Sequence, residues 1–265
     1  MVDSPDDKTL RARVKLLGTL LGDVLRSQEG QEVYDAVEQL RNGFIKIRQN
    51  QNPEENKNTR HDLYTLIKNL SPAELTHVVR AFSSYFTLLN IAEETHTHHI
   101  RQNQVRSEGP NWVGSFQTTL VDMKQQGIEK NQLQTLLNEL AYIPVMTAHP
   151  TESKRRTIRD AMRRITTTNK QLYDTQLGKH DIQTLTDTLH NQIQTFWKTD
   201  EVRSNKPRVK DEIVYGLDYF DECLFAAVPK TYRNFEQAIE LVYNSKDIAV
   251  PSFLKFGSWI GGDRD

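Results

Sequence analysis

The strongest constraint on this chain is an imbalance between helix and strand. Apolar residues recur at helical spacing along almost the whole sequence, and only two runs read as strands. Tyr142-Ile143-Pro144-Val145-Met146-Thr147 is a short apolar run with a proline-containing turn, suited to a buried strand. Ser252 to Ile260 is the second, and it ends in Gly261-Gly262. Two strands so far apart in sequence cannot form an independent sheet of ordinary size. They either pair with each other or await strands from further polypeptide. The glycine-rich, charged end Gly261–Asp265, with nothing after it to pack against, agrees with the second alternative. The expected fold class is mostly α, a helical body with two short strands.

The helices carry recognisable punctuation. Ser4-Pro5-Asp6-Asp7 supplies a cap, a first-turn proline and acids at a helix start, followed by an inward stripe of Leu10, Val14, Leu17, Leu21 and Val24. A second amphipathic helix is expected from about Gln31 to Ile47, with Val33, Val37, Leu40, Phe44 and Ile47 inward. The polar stretch Asn50 to Asn58 reads as an exposed loop. Ser71-Pro72-Ala73-Glu74 is a capping box opening a long helix through Leu75, Val78, Val79, Phe82, Phe86 and Leu89 to about Arg106. Shorter helices follow at Phe116–Gln126 and Lys130–Leu140, separated by Gly127, then at Thr151–Thr168, Asp181–Trp197, Asp211–Ala226 and Pro229–Tyr243. No internal repeat, low-complexity tract or proline-rich linker divides the 265 residues, which read as one unit.

Composition excludes several classes. With 37% hydrophobic and 26% charged residues the chain is an ordinary globular sequence rather than a disordered one. A formal net charge of -1 gives no global field toward nucleic acid or an anionic membrane, so any anion site has to be local. No window supplies the roughly 18 to 20 apolar residues that span a bilayer, and the acidic N-terminus is unlike a secretory signal. The single cysteine, Cys223, excludes an internal disulfide framework and fits a reducing, cytoplasmic compartment; its apolar run favours burial as a small hydrophobe.

The densest chemical constellation is Thr147-Ala148-His149-Pro150-Thr151-Glu152-Ser153-Lys154-Arg155-Arg156-Thr157. Pro150 biases His149 toward extended backbone and suits a first helical turn, so the imidazole belongs at a strand-to-helix corner. Helix N-termini there favour anions, and Lys154, Arg155 and Arg156 add cations within about two turns. Histidine can move a proton near neutral pH, with an unperturbed pKa of about 6.5, whereas arginine only stabilises charge. The competing reading has His149 as a helix cap and the basic run through Arg159, Arg163 and Arg164 as a solvated face, and spacing alone does not separate the two. A nucleic-acid reading lacks any aromatic platform.

Ser258-Trp259-Ile260-Gly261-Gly262-Asp263-Arg264-Asp265 places paired glycines after a strand, permitting close backbone approach, with two aspartates flanking a guanidinium. An ordinary turn with a surface ion pair would look the same. Thr199-Asp200-Glu201-Val202-Arg203, after Phe196-Trp197, reads unaided as a helix cap with a local ion pair. His96, His98 and His99 read as a wet polar face rather than a metal site, because only Glu93 and Glu94 lie at ligand spacing.

Taken together, these three runs resemble the phosphoenolpyruvate carboxylase family, as does the helical run Ala81-Phe82 through Asn90-Ile91-Ala92-Glu93-Glu94. The resemblance implies an N-terminal portion, residues 1–265, of a longer chain whose fold is a β/α (TIM-type) barrel wrapped by helices, the two strands here being the first of the barrel. It implies carboxylation of phosphoenolpyruvate by bicarbonate to oxaloacetate and phosphate, through carboxyphosphate and the enolate of pyruvate, with Mg2+ or Mn2+. His149 would be the essential histidine, and Gly261, Gly262, Asp263 and Arg264 part of an active-site loop. Positions matching Arg155, Arg156 and Arg203 bind a sugar-phosphate activator near a subunit interface in some relatives. The metal ligands would lie outside these residues, the isolated chain would be inactive, and the full enzyme would be a homotetramer. Two other readings stay open for the isolated chain: an anion-binding regulatory module, and a helical interaction scaffold.

Overall fold

The structure is a computed structural model that describes residues 5–109, 112–147, 156–200 and 209–260. The chain divides into two compact units, residues 1–100 with 156–201 and residues 101–155 with 202–265.

The first unit is a bundle of helices: α1 (Pro5–Glu29), α2 (Gln31–Gln49), α3 (Pro53–Asn69), most of α4 (Pro72–Glu108), α7 (Arg156–Gln171) and α8 (Lys179–Lys198). The expected α1 stripe is its spine, with Leu17, Leu21 and Val24 buried and Leu10 and Val14 packed against the core. Ile158, Ala161 and Ile165 of α7 and Leu189, Ile193 and Trp197 of α8 complete the same core. Each fully buried leucine or isoleucine among them contributes about 1.5–3 kcal/mol. Polar groups inside it are tied together: Asn169 Nδ2 donates to Thr95 Oγ1 at 2.6 Å, and Gln192 Nε2 to Thr168 Oγ1 at 3.0 Å.

Several expectations change here. The polar stretch expected as a loop contains the start of α3: the Asn52 side chain accepts from the backbone N–H groups of Glu54 and Glu55, and Pro53 occupies the first turn. Phe44 is exposed rather than inward. On α4 the Ser71–Glu74 capping box is present, but Leu75, Val79 and Phe86 are exposed, and Val78, Ala81, Leu88, Ile91 and Ala92 form the buried side. His96 is buried rather than wet, with Nδ1 3.4 Å from Tyr173 Oη, while His99 stacks on the Tyr173 ring at 4.4 Å.

The second unit contains α5 (Phe116–Gln125), α6 (Lys130–Glu139), β1 (Val145–Met146), α9 (Val209–Tyr219), a π-helical turn (Phe220–Leu224), α10 (Phe225–Tyr243) and β2 (Gly257–Ser258). Its core is Leu120, Leu133, Leu137, Phe235, Ile239, Tyr243 and Phe253, with Phe116 stacked on Phe235 at 4.4 Å. Gly127 stops α5 as expected: at φ 87° it lets Ile128 N–H reach Met123 O and its own N–H reach Lys124 O. The helices expected at 211–226 and 229–243 are one helical path interrupted by the π turn, with Pro229 inside α10. The turn alters the helix phase, and Cys223 is exposed, not buried.

The two strands pair with each other, in parallel, with Val145 opposite Gly257 and Met146 opposite Ser258. The first alternative for the strands is therefore realised. A bridge between Tyr142 and Leu254 extends the pairing upstream.

Candidate functional site

The described part of the candidate site is the strand pair and what holds it. Among the backbone bonds that join the two segments are Tyr142 N–H to Phe253 O at 2.8 Å, Lys255 N–H to Tyr142 O at 3.0 Å, Gly257 N–H to Pro144 O at 3.0 Å and Trp259 N–H to Met146 O at 2.8 Å. Because the strands are parallel and in register, the chain leaves both at the same end, after Thr147 and after Ile260. The C-terminal ends of parallel strands are where α/β proteins carry their working groups.

Three contacts fix the second strand. Tyr232 Oη on α10 accepts the N–H groups of Phe253 and Leu254, both at 3.0 Å. At Gly257 a Cβ would lie 3.2 Å from Val145 Cγ2, so glycine gives the strands room to approach. At Gly216 of α9 a Cβ would come within 2.7 Å of Ile260 Cδ1, so the absent side chain leaves space for the last described residue before Gly261.

The residues singled out by sequence fall mostly beyond these anchors. His149, Lys154, Arg155, Arg203, Gly261, Gly262, Asp263 and Arg264 lie outside the described residues, and Arg156 is described only as the first backbone position of α7. Covalent continuity keeps His149 within two residues of Thr147, and Gly261 follows Ile260 directly. Of the basic run on α7, Arg163 is exposed and paired to Asp160 at 3.0 Å, as a solvated face requires, while Ile158, Ala161 and Ile165 face the core.

The run beginning at Thr199 has a built anchor that sequence reasoning missed. Trp197 is buried and its Nε1–H donates to Glu29 Oε1 at 2.8 Å. Arg80 lies over the Trp197 ring at 4.7 Å, and its Nη2 donates to the carbonyls of Trp197 and, at 2.8 Å, of Thr199. His77 Nδ1 is 3.3 Å from Glu29 Oε2. The only sequence signal for this cluster was the tryptophan at a helix end.

Among the described residues no group of three or more His, Cys, Asp or Glu side chains could hold a metal ion, and no helix is long and apolar enough to cross a membrane.

A helical protein whose two parallel strands lead into motif-bearing runs of sequence is the class that fold and motifs define together. The sequence profile of phosphoenolpyruvate carboxylase matches residues 10–265. The chain belongs to the phosphoenolpyruvate carboxylase family. Among similar proteins, the phosphoenolpyruvate carboxylase of Nitrosomonas eutropha is 38% identical over 259 residues, covering 98% of this chain and 27% of that protein. The Nitrosomonas europaea enzyme is 36% identical over 265 residues, covering 99% and 28%, and that of Roseiflexus castenholzii 34% over 265 residues, covering 98% and 27%. The chain thus spans about a quarter of the length of these relatives.

Proposed function

We propose that this chain is the N-terminal portion of a phosphoenolpyruvate carboxylase, a carbon–carbon lyase that joins bicarbonate to phosphoenolpyruvate and yields oxaloacetate and phosphate. The observation that carries the reading is the family match over residues 10–265. The parallel register supports it, because the His149 run and the Gly261–Arg264 run depart from the same end of one strand pair.

In this reading bicarbonate oxygen attacks the phosphoryl group, the bond to the enol oxygen breaks, and carboxyphosphate forms beside the enolate of pyruvate. His149 stabilises carboxyphosphate and takes the proton from its carboxyl group. Carbon dioxide and phosphate then separate, and the enolate carbon attacks carbon dioxide. A near-neutral imidazole suits that proton transfer, and a water-poor site lined by fixed donors suits the two anions. Gly261, Gly262, Asp263 and Arg264 form part of the active-site loop. Arg155, Arg156 and Arg203 grip an anion, as substrate contacts or as an effector site.

The family reaction uses Mg2+ or Mn2+, which supplies charge stabilisation for the phosphoryl oxygens and enolate. The described residues do not fit such an ion, and none of them is assigned to it. The two strands are the first of a helix-wrapped β/α barrel, the active protein is a cytoplasmic homotetramer, and the 265-residue chain alone is inactive. The test is a coupled oxaloacetate assay. The longer enzyme should turn over, and His149→Asn should reduce kcat by at least about 100-fold, the usual scale for a lost acid–base group. Full activity in His149→Asn, or oxaloacetate made by the purified 265-residue chain, defeats the corresponding part of the reading.

A further inference from the structure

Helix α4 carries more apolar surface than the core of its own unit uses. Leu75, Val79, Phe82, Phe86 and Leu89 follow one another at steps of 4, 3, 4 and 3 residues, the spacing of a seam that packs on another helix. Yet Val79 is 62% and Phe86 56% exposed, and Phe82 and Leu89 are only half-buried. The core is filled from the adjoining side of the helix, by Val78, Ala81, Leu88 and Ala92. From Leu75 to Leu89 the seam is about 21 Å long at 1.5 Å per residue. Helix α1 lies antiparallel along its inner edge: Glu29 is 3.3 Å from His77, and eleven residues earlier a Cβ at Gly18 would touch Tyr85 at 3.4 Å. Between the two helices is an open groove of about 640 Å³, with Val14, Gly18, Phe82, Tyr85 and Leu89 in its lining. An apolar seam bordering a groove is the receiving half of a helix-in-groove contact.

We propose that this groove and seam seat an amphipathic helix supplied by the polypeptide that follows residue 265 in the longer enzyme. This rests on the reading of the chain as an N-terminal portion, given above. Two observations favour a tethered helix over a separate chain. The outer flank of the seam is Thr76, Ser83 and Asn90, short and uncharged, whereas separate coiled-coil chains select one another through charges at flanking positions. A strip about 21 Å long and 10 Å wide is also far smaller than the roughly 800 Å² per partner that holds separate proteins together. A tethered segment needs less, because it meets its site at a millimolar effective concentration. The chain is 27% as long as its Nitrosomonas eutropha relative is overall, so the relative has ample polypeptide for such a helix. The rim constrains the chemistry of the occupant. Lys15 on α1 and Glu93 on α4 border the groove, and neither has an ion-pair partner among the described residues. The seated helix therefore presents apolar residues at alternating 3- and 4-residue steps to the seam, a carboxylate to Lys15 and a cation to Glu93.

The test puts the photo-crosslinking residue benzoylphenylalanine at position 86, and separately at position 79, of the longer enzyme and maps the products by mass spectrometry. Both positions are exposed in the unit described, so neither replacement opens a cavity. Each should crosslink within its own chain to one segment beyond residue 265, the two attachment points lying about seven residues apart, as Val79 and Phe86 do on a helix. Phe86→Glu should release the helix and raise hydroxyl-radical labelling of Val79 to its level in the 265-residue chain. A crosslinked dimer of subunits, products confined to residues 1–265, attachment to unrelated segments, or no product from either position overturns the proposal. Where one replacement fails to fold, the other decides. Oxaloacetate formation by the wild type of the same preparation scores the enzyme reading independently: an active enzyme without the crosslink loses only the docking, and a crosslinked but inactive wild type loses only the reaction.

Discussion

Tyr232→Phe tests how the second strand is held. In the wild type one phenolic oxygen accepts two backbone N–H groups, from Phe253 and Leu254, each at 3.0 Å. The substitution keeps the ring and its packing on Phe253, at 4.9 Å between centroids, so no cavity opens. What is lost is the acceptor. Phe253 is buried, so its N–H has little access to water, whereas Leu254 is only partly buried and can be rehydrated. One unsatisfied buried donor costs about 1–3 kcal/mol, and a rehydrated one much less, so the expected loss is about 1–3 kcal/mol in total. Urea unfolding gives the magnitude, and hydrogen exchange at Leu254, Gly257 and Trp259 should accelerate first. The difference also has a pH sign. Burial opposes ionisation of Tyr232, but the N–H groups of Leu254 and Phe253 and the Ser252 side chain favour it, leaving its pKa below the ordinary tyrosine value. A group whose folded pKa is depressed adds stability above its unfolded pKa and loses that contribution as pH falls through the folded value. The gap between wild type and Tyr232→Phe should therefore widen toward alkaline pH. A loss below about 0.5 kcal/mol with unchanged exchange would refute the claim that this hydroxyl fixes the strand.

Gly43→Ala on α2 should destabilise despite a helix-propensity gain of about 1 kcal/mol, because the new Cβ meets Leu63 Cδ2, Cδ1 and Cγ at 2.6, 2.8 and 3.0 Å. Gly18→Ala on α1, where the nearest atom is Tyr85 Cε2 at 3.4 Å, should instead be neutral or stabilising in the same thermal melt. Glu38 accepts two bonds from Arg41, at 2.8 and 2.7 Å, and those bonds lower its pKa against the opposing effect of burial. Its stabilisation is present above the unfolded pKa and is lost as pH falls through the folded one, so Glu38→Gln should cost under about 1 kcal/mol at neutral pH and nothing in strong acid, measured by urea unfolding at both.

Much of the first unit was legible because α1 repeats its apolar residues on one stripe and the Ser71–Glu74 box announces α4. The α3 helix was not. Its only buried residue is Leu63, so periodicity is faint and the Asn52 cap carries the signal. On α4, both Val78 and Val79 look apolar, and only the packing shows that the first is buried and the second exposed. Cys223 was misjudged because the apolar run from Cys223 to Val228 has no buried residue on any side, so its composition did not report burial. At the candidate site the residue types were readable as motifs. The parallel register was not, because nothing local in either strand says which of its residues will face a partner more than a hundred positions away.

Gly257 within the strand pair and Gly216 beside it allow stability and activity to be separated. A Cβ at position 257 would press on Val145 Cγ2 at 3.2 Å, but Val145 is 46% exposed and can give way toward solvent. A Cβ at position 216 would strike Ile260 Cδ1 at 2.7 Å, the far end of a flexible side chain. Neither clash is locked in a core as Gly43 against Leu63 is, so each should cost little in unfolding free energy. Both, however, act on backbone that runs directly into Gly261-Gly262 or against the strand leading to His149. A displacement of about 1 Å at reacting groups can lower a rate by about 100-fold. Gly216→Ala and Gly257→Ala, placed in the longer enzyme, should therefore lose much more kcat than stability. If both keep full kcat, or if kcat falls only in proportion to the folded fraction, the strand pair does not position the two motif runs that follow it.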